Sequence, residues 1–144
     1  MNDFDRTPPQ DVEAERMLLS SWLWIEEDFK WGRKYRVEPS EFYRGDHRAL
    51  AAAILSLVDD GAFVSMDTVL LRLGEDATDE IRKTLAEIAP LAWHPAHVPP
   101  MAQRVHRAAR LRAVYTAATS ALEAVLGPLA DPEHAESVLT SAAS

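Results

Sequence analysis

From Met101 to Leu126 the chain runs for 26 residues without a glycine or a proline. Within it Met101, Val105, Ala108, Leu111, Tyr115, Ala118, Leu122 and Val125 recur at steps of three or four, which lines them along one side of an α-helix in the manner of a coiled-coil seam. Pro99 and Pro100 fit only a first turn, so the helix is expected to start near Ala96 and to extend roughly 40 Å at 1.5 Å per residue. Gly127-Pro128 breaks it, and Asp131-Pro132-Glu133 restarts a helix through a cap followed by proline, carrying Ala135, Val138 and Leu139. The expectation is a helical hairpin with small residues along its contact line, whose free face exposes apolar surface unless a second copy covers it. The eight seam residues above are the expected oligomer contact.

The preceding part also reads as helices. Asp11 followed by Val12-Glu13-Ala14-Glu15 supplies a capping carboxylate and an acidic first turn, and Ala14, Met17, Leu18, Trp22 and Ile25 gather on one face. Residues 26–37 read as a connection, Pro39 opens a short helix through Tyr43, and Gly45 ends it. Asp46 is expected to cap a helix over 46–60 with Leu50, Ala53, Ile54 and Leu57 inward and Gly61 as terminator. Asp67 is expected to cap a short helix with Val69, Leu70 and Leu73, stopped by Gly74, and Thr78 or Asp79 opens another with Ile81, Leu85 and Ile88 inward. The class is all-α, a compact helical globule followed by a long helical hairpin. Its divisions are an N-terminal arm over 1–10, a globular part over 11–94 and a hairpin over 95–144 that leads to an interdomain linker.

Composition excludes several chemistries. There is no cysteine, hence no disulfide, zinc-thiolate site or cysteine nucleophile. No Gly-x-x-x-x-Gly-Lys-Ser/Thr occurs among only five glycines, so nothing can wrap a nucleoside triphosphate in backbone N–H groups. Ser20, Ser21, Ser40 and Ser65 lack a nucleophile-elbow context and read as caps or surface residues. His94, His97 and His106 invite a metal reading, but no carboxylate or histidine follows at an established ligand spacing, so no metal, cofactor or catalytic residue is assigned. The apolar runs are too short to cross a bilayer and the N-terminus lacks a signal pattern, which implies a cytoplasmic chain that does not span a membrane.

The net charge of −8 disfavours strong DNA binding. The one dense basic stretch is Arg104, Arg107, Arg110 and Arg112 with His106; Arg104, Arg107 and Arg112 share an arc of about 140° at 100° per residue. That arc could touch phosphate or an acidic protein, and the simpler reading is a solvated face pairing with the chain's own carboxylates. Trp31 among Lys30, Arg33, Lys34 and Arg36 could stack on a single strand, against a plain surface connection with one aromatic anchor.

Pro8-Pro9-Gln10-Asp11-Val12-Glu13-Ala14-Glu15-Arg16-Met17-Leu18-Leu19 resembles the opening of DnaB-type bacterial replicative helicases. Glu38-Pro39-Ser40-Glu41-Phe42-Tyr43-Arg44-Gly45-Asp46-His47-Arg48, then Ala53-Ile54-Leu55, Leu57, Gly61 and Val64-Ser65-Met66-Asp67-Thr68-Val69, is similar to that family's Phe-Tyr, His-Arg, helix, turn and capped-helix succession. Val105, Leu111-Arg112 and Ala117 are similar to its first hairpin helix. The resemblance covers about residues 7–126 and implies the N-terminal collar domain of a replicative helicase. It implies pairing of hairpins, a trimer of dimers above the motor ring, binding of the primase C-terminal domain, and a replisome location. By the same resemblance, ATP binding and DNA translocation belong to a helicase motor domain absent from this chain, so contact with DNA is indirect. Two alternatives stand beside it: a freestanding regulator of related fold that binds helicase or primase, and a weak nucleic-acid-binding helical domain.

Overall fold

The computed structural model describes residues 7–24, 36–91, 95–127 and 130–143. Among them are six α-helices and no strand: α1 (Val12–Trp24), α2 (Gly45–Asp59), α3 (Met66–Leu73), α4 (Asp79–Ile88), α5 (Val98–Leu126) and α6 (Pro132–Ala143). Short 3-10 turns occupy Pro39–Glu41, Gly74–Asp76 and Pro95–His97. The class is all-α, as the periodicities require. The chain divides into a globular unit, Asp11–His106, and a second unit made of Met1–Gln10 with Arg107–Ser144, so α5 gives its first turns to one unit and the remainder to the other. No helix among the described residues is long and apolar enough to cross a membrane.

In the globular unit α2 is the central element, packed by α1, α3, α4 and the Pro39–Glu41 turn. Its buried set is therefore wider than a single stripe: Ala51, Leu55 and Val58 join Leu50, Ala53, Ile54 and Leu57. Around it close Leu18, Leu19 and Trp22 of α1, Val69 of α3, Leu85 and Ile88 of α4, and Val98, Ala102 and Val105 of α5. Trp22 meets Phe42 edge to face with ring centroids 6.0 Å apart, a geometry the aromatic quadrupoles favour. Met17 is only half-buried, and Ile25 falls outside the described residues.

Local starts depart from the sequence expectation in identifiable ways. Asp11 does cap α1, its Oδ1 accepting from Ala14 N at 3.1 Å. Asp46 does not cap α2: Arg44 is the N-cap and Gly45, expected to end the element before, opens the helix instead. Asp67 likewise lies inside its helix, and Ser65 caps α3 through a reciprocal box in which Ser65 Oγ accepts from Thr68 N at 3.1 Å and Thr68 Oγ1 accepts from Ser65 N at 2.8 Å. Thr78 caps α4 by accepting from Ile81 N. Helix α5 begins at Val98 after the turn Pro95–His97, two residues later than the composition suggested, with Pro99 and Pro100 in its first turn. Ser20 and Ser21 are buried rather than superficial; they donate to the carbonyls of Leu91 and Leu18.

The displaced Asp46 belongs to a buried polar lock that ties α1, α2 and α4 together. Its Oδ2 accepts from Thr84 Oγ1 and from Arg44 Nη2, each at 2.6 Å, while Oδ1 accepts from Arg44 Nε at 3.0 Å and from His47 N at 2.9 Å. Beside it Glu15, 1% exposed, accepts from His47 Nδ1 at 2.9 Å and from Tyr43 N at 2.8 Å. Burial raises the Asp46 pKa, but the hydrogen bonds from Thr84 and Arg44 outweigh it and hold the carboxyl below its ordinary value of 3.8. A carboxyl depressed in the folded state contributes stability above its unfolded pKa and loses it as pH falls through the folded one. Melting temperature is therefore expected to fall below about pH 4, and Asp46→Asn should flatten that acid limb while lowering stability at neutral pH. An unchanged acid limb in the variant would place the pH sensitivity elsewhere.

Candidate assembly surface on the long helix

In the second unit, the part of α5 from Arg107 onward and α6 are joined by a turn that Gly127 N closes onto Glu123 O at 2.8 Å and Asp131 N onto Ala124 O at 3.2 Å. Gly127 is required here, since a Cβ would stand 2.9 Å from the Glu123 carbonyl oxygen. Among the described residues, the buried side chains of this region are small ones, Ala108, Ala117 and Ala121 on α5 and Ala135 on α6. The larger apolar residues are left outside: Leu111 is 48% exposed and Val125 54%, and Val114, Leu126 and Leu139 are also exposed.

At 100° per residue Leu111, Val114, Ala118, Leu122 and Val125 fall within an arc of about 80°, centred about 80° round the helix from Ala117 and Ala121. The arc is continuous along the helix, with Ala118 exposed and Leu122 half-buried between its ends. One copy of the chain thus covers its alanines and leaves a ridge of branched aliphatic side chains in water. A soluble monomer gains nothing from such a ridge, whereas a second apolar surface gains from covering it.

The eight seam residues divide between two environments. Val105 is 1% exposed and packed in the globular core, and Met101 is half-buried against it. Ala108 is buried and Tyr115 half-buried. Leu111, Ala118, Leu122 and Val125 supply the accessible part, to which the structure adds Val114, Leu126 and Leu139. Val114 was legible in principle, because it stands three residues after Leu111 and four before Ala118.

The basic residues separate as well. Arg104 forms a two-pronged pair with Asp11, Nε to Oδ2 and Nη2 to Oδ1, both at 2.8 Å. Burial raises the Asp11 pKa, but the bonds from Arg104 and Ala14 N outweigh it and hold the carboxyl below its ordinary value. Arg112 Nη1 donates to Pro9 O at 3.0 Å, which fastens the N-terminal arm to α5. Arg107 and Arg110 are exposed. His106 Nδ1 pairs with Glu41 Oε1, His97 is exposed, and His94, Lys30, Trp31, Arg33 and Lys34 lie outside the described residues. Among the described residues no group of three or more histidines or carboxylates could hold a metal ion.

Comparison with known proteins agrees with the all-α fold. A family model described as DnaB-like helicase N terminal domain matches residues 7–107. The fold is similar to the crystal structure of the N-terminal domain of DnaB helicase from Mycobacterium tuberculosis, with a TM-score of 0.81 and 25% sequence identity, over 94% of this chain and 99% of that one. No curated protein matches. The matched stretch carries the Asp11 cap, the Glu15–His47 lock and the start of α5, and over it the chain belongs to the DnaB-like helicase N-terminal domain family.

Proposed function

We propose that this domain is an assembly module of a replicative helicase, pairing with a second copy through the exposed face of α5 and engaging the C-terminal domain of primase. The observation that carries the pairing is the aliphatic ridge Leu111, Val114, Leu122 and Val125, left largely uncovered in a single chain. Pairs built this way can assemble further into the collar of a hexamer. On this reading nucleotide hydrolysis and DNA translocation belong to a separate motor domain, the chain holds no cofactor, and it works in the cytoplasm at the replisome. Family membership supports the helicase context.

The test is the solution mass of the purified chain by size exclusion with light scattering, alone and mixed with the C-terminal domain of the cognate primase. A dimer or larger ring whose elution shifts on adding primase is expected. A monomer at tens of micromolar, indifferent to primase, overturns both parts; a dimer indifferent to primase overturns the second alone.

A further inference from the structure

The globular unit carries a second exposed apolar feature, unrelated to the hairpin ridge. Leu71 on α3 is 81% exposed and Phe63, in the loop before it, 67%. Nothing in their own fold uses them: α3 is held by Val69, which is buried, and by Met66, Leu70 and Leu73, which pack on the core from its other side. Leu71 shares its outward face with Asp67, four residues earlier and also exposed. From Phe63 to Met66 is at most about 10 Å of extended chain, and from Met66 to Leu71 about 7.5 Å of helix, so the two side chains fit within one interface footprint of about 800 Å².

The charge around them is not typical of the rest of the molecule. Asp59–Glu80 contains seven carboxylates; Arg36 pairs with Asp59 and Arg72 with Asp60, and the other five, Asp67, Glu75, Asp76, Asp79 and Glu80, are all exposed. Arg72 is already engaged, its Nη1 donating to Asp60 and to Ser56. Large apolar side chains fully presented to solvent inside a concentrated negative field match a partner that brings apolar anchors on a cationic backdrop. The same field repels nucleic acid and anionic lipid.

We infer that the α3 face, centred on Phe63 and Leu71, is a docking surface for a basic protein segment that presents apolar side chains at helical spacing. It draws on none of the ridge residues and stands whether or not that ridge pairs. Its occupant is a second protein, since the charge disfavours DNA and membrane.

The test uses the full chain, isotope-labelled, titrated with a synthetic amphipathic peptide of lysines with leucines four residues apart, and with its sibling carrying serine for each leucine. The expected result is amide shift changes concentrated on Ala62–Asp76, and affinity about tenfold weaker (1.4 kcal/mol) for the serine peptide. The chain carrying Phe63→Ser and Leu71→Ser should lose affinity for the leucine peptide by a similar factor. Both residues are exposed, so these variants are expected to fold. Equal binding of the two peptides, an unaffected double variant, or shifts centred on residues 107–126 would each overturn the proposal, as would a DNA oligonucleotide that binds at Phe63 and Leu71.

Discussion

Glu15→Ala is expected to lower the melting temperature by about 10–15 °C, the equivalent of about 3–5 kcal/mol for removing one partner of a fully buried carboxylate–imidazole hydrogen bond. The size follows from what the substitution leaves behind. Glu15 and His47 are 1% and 0% exposed, and the carboxylate is the acceptor for His47 Nδ1, for Tyr43 N at 2.8 Å and for Arg44 N at 3.5 Å. His47 Nε2 is buried with no hydrogen-bond partner, so an alanine at 15 leaves the imidazole with neither ring nitrogen satisfied. Unsatisfied buried donors cost more than the bonds they formed were worth. Glu15→Gln keeps one carbonyl acceptor but points an amide at groups that are themselves donors, so its loss should be intermediate. Thermal unfolding followed by circular dichroism separates the cases. A Glu15→Ala chain melting within about 3 °C of wild type, under 1 kcal/mol, would show that water or local rearrangement replaces the carboxylate.

That lock was not legible in the sequence, although most of the helices were. The three-and-four spacing of Leu50, Ala53, Ile54 and Leu57 announces a helix wherever the partners lie, because it depends only on residues one turn apart. Glu15 and His47 are 32 positions apart, and nothing local distinguishes Glu15 from Glu13, the exposed carboxylate two residues earlier. Asp46 shows the same limit from another side: its chemistry suits a cap, but Arg44 and Thr84, the latter 38 positions away, hold the carboxylate in the interior. At Asp11 the cap was readable because its bond to Ala14 N is local; the pairing with Arg104, 93 positions on, was not. The long helix gives a further case. One unbroken apolar periodicity runs from Met101 to Val125, yet its first residues are consumed by the globular core and its later ones are left in solvent. Periodicity reports that a side of the helix is apolar, and only the fold decides what covers each part of it.

The hairpin reading predicts its largest effect for a paired substitution on that later part. A chain carrying Leu111→Asp and Val125→Asp should be monomeric under conditions in which the unaltered chain is a dimer. Covering a leucine or valine side chain is worth about 1.5–3 kcal/mol, and a two-fold interface contains each position twice. With half of that realised, the change is about 3–6 kcal/mol, a factor of about a hundred to ten thousand in Kd. Four carboxylates brought together without partners add to the penalty. In the single chain Leu111 and Val125 are already about half exposed, at 48% and 54%, so helix content should persist, while the concentration dependence of the melting temperature that a dimer confers should vanish. Val105→Asp is the contrasting control: it forces a charge into a position 1% exposed and should unfold the globular unit rather than merely separate copies. Phe63→Asp, on the other exposed surface, should leave the mass unchanged. A Leu111→Asp, Val125→Asp chain that remains a dimer would transfer the interface away from α5, and with it the assignment of this face as the contact through which the domain assembles.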